Sequence, residues 1–241
     1  MIWRKEMYLF HNDKKEVEIS PYNTPTPWMN YLSNGVFTTM MSQAGGGVAF
    51  YKSPQIWRIN HYRFFHVPMD RSGFYTYIKD GDEYWCPTNE PCKTKPESWK
   101  ASHGMGYTRF EAERGGIQAE ATYFVGEYEN ALIWRLRLTS KQDKKIKLFP
   151  YVELGMMEFM RELQWQCYNK HQLTCYHMDD ILVYKYGVET QPKPEETPLV
   201  YFTADAPIAG FDCDRDEFVG SYRSEENPKN VERGGCTNST L

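Results

Sequence analysis

No uninterrupted apolar run in these 241 residues approaches the ~18 needed to cross a bilayer as a helix, and the first fifteen residues mix charges with aromatics instead of building the apolar stretch of a secretory signal. Membrane partners are therefore not expected, and a cytoplasmic location is. Charge of one sign is lacking as well: 28 basic residues stand against 32 acidic ones, a net of −4 spread along the chain. Without a basic stripe there is no footprint for nucleic acid. Cysteine is sparse for a chain long enough to build its own core. Cys86 and Cys92, or Cys167 and Cys175, lie further apart than the two-to-four-residue gap of a zinc knuckle. All six, with Cys213 and Cys236, read as reduced, mostly buried small side chains outside any disulfide framework. His61 with His66, and His171 with His177, do not share a face of a helix or strand, so no metal centre is expected.

Three further patterns fall short of the chemistry they suggest. Gly45-Gly46-Gly47 precedes a strand but lacks the downstream Lys-Ser/Thr and the helix of a phosphate loop, and reads as a tight turn where two backbones approach. Asp212, Asp214 and Asp216 have the opening spacing of a calcium loop, yet Glu217 stands where glycine is needed and Arg223 where the bidentate glutamate belongs. Asn238-Ser239-Thr240 matches a glycosylation sequon that a cytoplasmic location would leave silent. No Ser-His-Asp or Cys-His arrangement has a recognisable local context.

What the chain does have is period two. Leu132, Trp134, Leu136 and Leu138 alternate with Ile133, Arg135, Arg137 and Thr139, and residues 117–125 alternate in the same way. Turn chemistry at Asn12-Asp13, Asp80-Gly81, Gly115-Gly116 and Asp179-Asp180 separates strand-like runs. About a dozen strands follow from this reading. They are 7–10, 16–20, 35–41, 48–52, 74–79, 107–113, 117–125, 131–139, 144–153, 173–177, 181–186 and 199–204. One short helix is expected over 156–163, and the Pro- and Glu-rich stretch 190–198 reads as an exposed loop. So many strands favour two packed sheets over one open sheet. The fold class is therefore all-β: a large two-layer antiparallel β-sandwich with only short helices, as a single domain over 1–241.

Aromatics form 16% of the chain, and Trp28, Tyr31, Trp57, Tyr62, Phe64, Phe65, Tyr84, Trp85, Trp165 and Tyr168 cluster with polar neighbours outside clean alternation. Rings that stack on a pyranose while amides fix its hydroxyls make a sugar site. β cores are also rich in aromatics, so composition leaves both readings open. Glu111, Glu113, Glu120, Glu153, Glu158 and Glu162 offer carboxylates in number for glycoside chemistry, but sequence does not place any two at a catalytic separation.

The motif Thr26-Pro27-Trp28-Met29-Asn30-Tyr31-Leu32 resembles the opening of cellobiose and chitobiose phosphorylases of glycoside hydrolase family 94. Ala44-Gly45-Gly46-Gly47-Val48-Ala49-Phe50-Tyr51, Tyr84-Trp85-Cys86-Pro87-Thr88, His103-Gly104-Met105-Gly106-Tyr107-Thr108 and Phe149-Pro150-Tyr151-Val152-Glu153 follow in that family's order. So do residues 216–223, Asn227-Pro228 and residues 231–239. The resemblance implies the supersandwich shared with galactose mutarotase-like proteins, without the linker and helical (α/α)6 barrel that carry the catalytic acid and the phosphate site. It implies an inverting β-disaccharide phosphorylase whose co-substrate is inorganic phosphate, with no other cofactor. This chain would be inactive alone, paired with the helical domain of the same enzyme, and homodimeric. It also implies a loop lent to the leaving-sugar site near 165–172, where Trp165 and Tyr168 would stack and Gln166, Asn169, His171 and Gln172 would hydrogen-bond hydroxyls. Where some relatives have an arginine this chain has Cys167 or Tyr168, so the disaccharide stays open. No catalytic residue is assigned within the chain. The competing readings are a stand-alone carbohydrate-binding module and a purely structural dimerisation domain.

Overall fold

The computed structural model describes residues 7–61, 72–155, 158–164, 171–187 and 199–241. In chain order the elements begin with β1 (Tyr8–His11), β2 (Glu16–Ile19), β3 (Met29–Ser33), β4 (Phe37–Ser42), β5 (Gly47–Tyr51), β6 (Tyr75–Asp80), β7 (Glu83–Trp85), β8 (Ser98–Gly104) and β9 (Thr108–Arg114). They continue with β10 (Ile117–Val125), β11 (Leu132–Ser140), β12 (Ile146–Tyr151), α1 (Phe159–Gln164), β13 (Leu173–Met178), β14 (Ile181–Tyr186), β15 (Leu199–Thr203), α2 (Arg215–Val219) and α3 (Lys229–Arg233).

Turn chemistry sets the hairpins. Gly115 and Gly116, both at positive φ, join Arg114 to Ile117, and Asp179 and Asp180 do the same between Met178 and Ile181. Both are two-residue turns whose twist matches the flanking strands. The result is a six-stranded antiparallel sheet, β1-β2-β8-β9-β10-β11, and three smaller antiparallel sheets, β3-β4-β5, β12-β6-β7 and β13-β14-β15.

Alternation then decides the core. Ile117, Ala119, Ala121 and Tyr123 of β10 are all buried, as their period-two spacing requires. Ala121 and Tyr123, with Phe110, pack against Phe37, Met41 and Ala49 of the β3–β5 sheet and against Phe74. Further along, Ala112, Ile117 and Ala119 receive Ile78 and Trp85 of β6 and β7. The alanines on the large sheet make room for aromatic rings from the facing layer, so the two layers interdigitate. Tyr77, Tyr151 and Phe218 form a neighbouring aromatic cluster, and Leu173, Cys175, Leu182 and Tyr184 build another around the last sheet.

The Gly45–Gly47 run is the close backbone approach its composition suggests. A Cβ on Gly47 would lie 1.9 Å from the Met40 carbonyl oxygen. Opposite it, a Cβ on Gly73 would lie 2.2 Å from the oxygen of Gly45.

Three differences from the sequence reading have physical causes. Strands β3, β7 and β8 were not anticipated; β8, Ser-Trp-Lys-Ala-Ser-His-Gly, buries Ala101 and Ser102 and so carries little apolar alternation. Helices α2 and α3, of five residues each, are too short to show a helical period. The expectation that all cysteines are reduced is corrected: Cys175 and Cys213, with Cα atoms 6.0 Å apart, are joined as a disulfide. Both point into the core of the last sheet, and their separation of 38 residues hid the approach. Cys86, Cys92 and Cys236 are free thiols; Cys167, like the stretch 190–198, lies outside the described residues.

Candidate functional site

Residues 165–172 follow helix α1 directly in sequence. Phe159 N–H donates to the Gln55 carbonyl at 2.8 Å, and the Arg58 guanidinium lies 4.5 Å above the Phe159 ring. One turn later the carboxylate of Glu162 accepts from Arg58 Nη1 at 2.6 Å and pairs with His61 Nδ1 at 2.8 Å. The side chains of Arg58 and Glu162 are each 5% exposed, so this is a buried ion pair extended by an imidazole. Burial pushes the Glu162 carboxyl up, but the bonds from His61 and Arg58 outweigh it and hold the group below the usual carboxylate range. Segment 58–61 is itself fixed to β5: Asn60 Nδ2 donates to Gly47 O at 3.0 Å while its Oδ1 accepts from Ala49 N–H at 2.8 Å.

Where the described residues resume, at 171, the chain is also tied. The Tyr186 hydroxyl donates to Gln172 Oε1 at 2.7 Å, and Gly187 N–H donates to the Gln172 carbonyl at 2.9 Å. Tyr186 is buried, whereas His171 is exposed. Of the six residues assigned to the leaving-sugar site, His171 and Gln172 are thus placed, and Trp165, Gln166, Tyr168 and Asn169 lie outside the described residues.

A broad cleft of about 2410 Å³ opens beside this region between β11, β12 and β15. Trp57, His61, Trp134, Glu153, Phe202 and Arg215 are among the side chains that line it. Arg215 reaches Glu153 at 3.4 Å and Glu225 at 2.6 Å. Burial lowers the affinity of its guanidinium for the proton, but Glu153, Tyr151 and Glu225 together raise it above its already high ordinary value. Glu158 stands at the start of α1, its carbonyl accepting from Glu162 N–H at 3.0 Å, whereas Glu111, Glu113 and Glu120 lie elsewhere. Glu111 pairs with Lys100 at 3.2 Å and with Arg109 at 3.5 Å, and it joins Glu113 and Glu120 around a shallow depression on the six-stranded sheet.

Motif residues near the end of the chain act structurally. Asp212 accepts from Asn230 Nδ2 (2.7 Å), Thr237 N–H (3.0 Å) and Oγ1 (2.7 Å), and Ser239 N–H (3.2 Å) and Oγ (3.1 Å). Burial raises its carboxyl, but these donors overcome that and hold it below the ordinary range. Asp214 caps α2 by accepting from Asp216 N–H at 2.9 Å. The Arg58–Glu162–His61 cluster was missed by sequence reasoning, since Glu162 lies 104 residues from Arg58. The available signal was a glutamate on the predicted helix facing its apolar side.

Comparison with known proteins adds the family. A family model described as "Glycosyl hydrolase 94, supersandwich domain" matches residues 15–241. N,N'-diacetylchitobiose phosphorylase of Vibrio proteolyticus is 34% identical over 248 residues, covering 95% of this chain and 29% of that protein. The enzyme of the same name from Vibrio furnissii is 32% identical over 241 residues with the same two coverages. Solabiose phosphorylase of Paenibacillus borealis is 28% identical over 235 residues, covering 95% of this chain and 30% of that protein. The chain therefore spans less than a third of the length of these relatives.

Proposed function

Because the chain belongs to glycoside hydrolase family 94 through its supersandwich domain, we propose that it works as the β-sandwich portion of an inverting β-disaccharide phosphorylase. In this reading the complete enzyme converts a disaccharide and inorganic phosphate into a sugar 1-phosphate and a free sugar. Phosphate attacks the anomeric carbon as an acid on a helical domain protonates the leaving oxygen, and the sandwich lends the 165–172 loop to the leaving sugar and supports a homodimer. A cytoplasmic setting suits phosphate as co-substrate; among the described residues no helix is long and apolar enough to cross a membrane. The observation that carries the reading is the match along 95% of the chain to two chitobiose phosphorylases and a solabiose phosphorylase.

The anchored flanks of the loop fit this role. Glu162 fixes the helix that leads into it, and Gln172 is held by Tyr186 where it returns. A loop held at both ends presents its side chains at lower entropic cost on binding. In an enzyme that carries this chain together with a helical domain, Trp165→Ala or Tyr168→Ala is expected to raise KM for the acceptor sugar in the synthetic direction. Loss of one stacking face corresponds to roughly tenfold. The constants for sugar 1-phosphate and phosphate are expected to stay within about twofold, because the helical domain holds those groups. Acceptor kinetics unchanged in both variants, with folding intact, would assign the leaving sugar to another loop.

A further inference from the structure

Two free thiols touch in the loop that follows β7. Cys86 Sγ and Cys92 Sγ stand 3.5 Å apart, close enough to share an S–H···S hydrogen bond. Both are buried, Cys86 at 2% exposure and Cys92 at 7%, in the cluster that Tyr75, Tyr77 and Phe149 build with Phe218 of α2 and Val231 of α3. Among the described residues no third Cys, His, Asp or Glu completes a metal-holding group with them.

Joining the sulfurs asks little of these surroundings. A disulfide holds its sulfurs at about 2.05 Å, so the two need approach by roughly 1.5 Å, within the reach of side-chain rotation. The bridge is uncharged and two hydrogens smaller than the dithiol, so it suits the same apolar cluster. A lasting thiolate does not: burial, with Cys92 alongside, pushes the Cys86 thiol well above the usual thiol range.

The loop between the thiols is held under strain. Asn89 (φ 69°) and Lys93 (φ 53°) occupy the left-handed region, and Asn89 Oδ1 is buried without a hydrogen-bond partner among the described residues. Strain of this kind gathers at switch segments. It also lowers the free energy of the local opening through which a small reagent reaches Cys92, the more exposed thiol. The loop is a joint as well: the Pro87 carbonyl accepts from Trp99 Nε1 of β8 at 2.9 Å, and Lys93 pairs at 3.5 Å with Glu226, which lies between α2 and α3.

We propose that Cys86 and Cys92 are a thiol–disulfide switch: a low-molecular-weight disulfide closes loop 86–92 into a covalent ring in the folded chain, and a dithiol reductant reopens it. Cys92 loses its proton and attacks one sulfur of the reagent, which expels one thiolate and leaves a mixed disulfide. Cys86 then loses its proton and attacks the Cys92 sulfur, which expels the second thiolate. The two cysteines are oxidised, the reagent is reduced by the same electron pair, and the two protons end on the thiols it releases. Closed, the ring stiffens the joint between the large sheet and the α2–α3 segment.

The test uses the purified 241-residue chain with 2-hydroxyethyl disulfide. After incubation in the folded state it is denatured with iodoacetamide present and cut with trypsin, which leaves both cysteines on the single peptide 80–93. That peptide is expected two hydrogens lighter and unalkylated, and to take two alkyl groups once the folded chain has been returned with dithiothreitol. The rise in melting temperature from reducing to oxidising buffer is expected to be about 5 °C larger in the wild type than in Cys92→Ala. Both proteins carry Cys175 and Cys213, so the excess belongs to the new ring. Should Cys92→Ala not fold, Cys86→Ala takes its place, and the peptide measurement needs no variant. The proposal is overturned by two free thiols at every reagent concentration, by mixed disulfides that go no further, by a bridge made only after unfolding, or by a bridge that brings no excess in melting temperature.

Discussion

Replacing Arg58 by alanine is expected to lower the stability of the folded chain by about 3–5 kcal/mol at neutral pH, the range for removing one partner of a buried ion pair. The guanidinium donates to Glu162 at 2.6 Å and to the Pro54 carbonyl at 3.1 Å, and it covers the Phe159 ring, so the variant loses charge pairing and packing together. Glu162 would keep its contact with His61 and remain buried after losing the guanidinium. The midpoint of urea unfolding measures the loss.

The loss depends on pH with a definite sign. The folded state holds the Glu162 carboxyl below its ordinary value, so the stability it contributes is present above the unfolded pKa and disappears as the pH falls through the folded one. The gap between wild type and Arg58→Ala is therefore expected to narrow below about pH 4. A change smaller than about 1 kcal/mol at pH 7 would mean that the pair is solvated in solution and does not anchor α1.

Asp212→Ala is expected to cost about 2–4 kcal/mol, because hydrogen bonds to an ionised acceptor are worth more than neutral ones and the abandoned Asn230 and Ser239 donors are partly buried. One Asp212 carboxylate oxygen gathers the backbone and hydroxyl donors of Thr237 and Ser239, and the other receives the Asn230 amide. It thereby closes residues 212–239 into one knot beside the disulfide at Cys213. Asp214→Ala is the internal control. It removes the cap of a five-residue helix and is expected to cost about 1 kcal/mol. Equal losses in the two variants would show that the Asp212 network is not closed in solution.

Strands that alternate apolar and polar residues between strong turn residues were legible from the sequence. β10 and β14 occupy the residues expected of them, and the hairpins at Gly115-Gly116 and Asp179-Asp180 fall where their chemistry puts them. β8 was not legible although it lies inside the large sheet. Its small buried residues face bulky partners, and its pairing with β2 spans more than eighty residues. The same distance in sequence concealed the candidate site. The aromatic and amide content of 165–172 drew attention to the loop, but nothing local marks Arg58 and His61 as partners of Glu162, or Cys175 as the neighbour of Cys213. Glu153 and Glu162 read alike as carboxylates in a series; only the fold gives one to Arg215 and the other to the buried cluster.

The reading proposed above puts catalysis outside the 241 residues and gives the sandwich the support of a reaction carried by a further domain. The direct measurement is release of sugar 1-phosphate by the purified, folded 241-residue chain supplied with inorganic phosphate and, in turn, N,N'-diacetylchitobiose, cellobiose or laminaribiose. No release above the buffer control is expected with any of the three. Reproducible turnover that persists through repeated purification would contradict the assignment and place an acid and a phosphate site among the carboxylates and arginines of the sandwich itself.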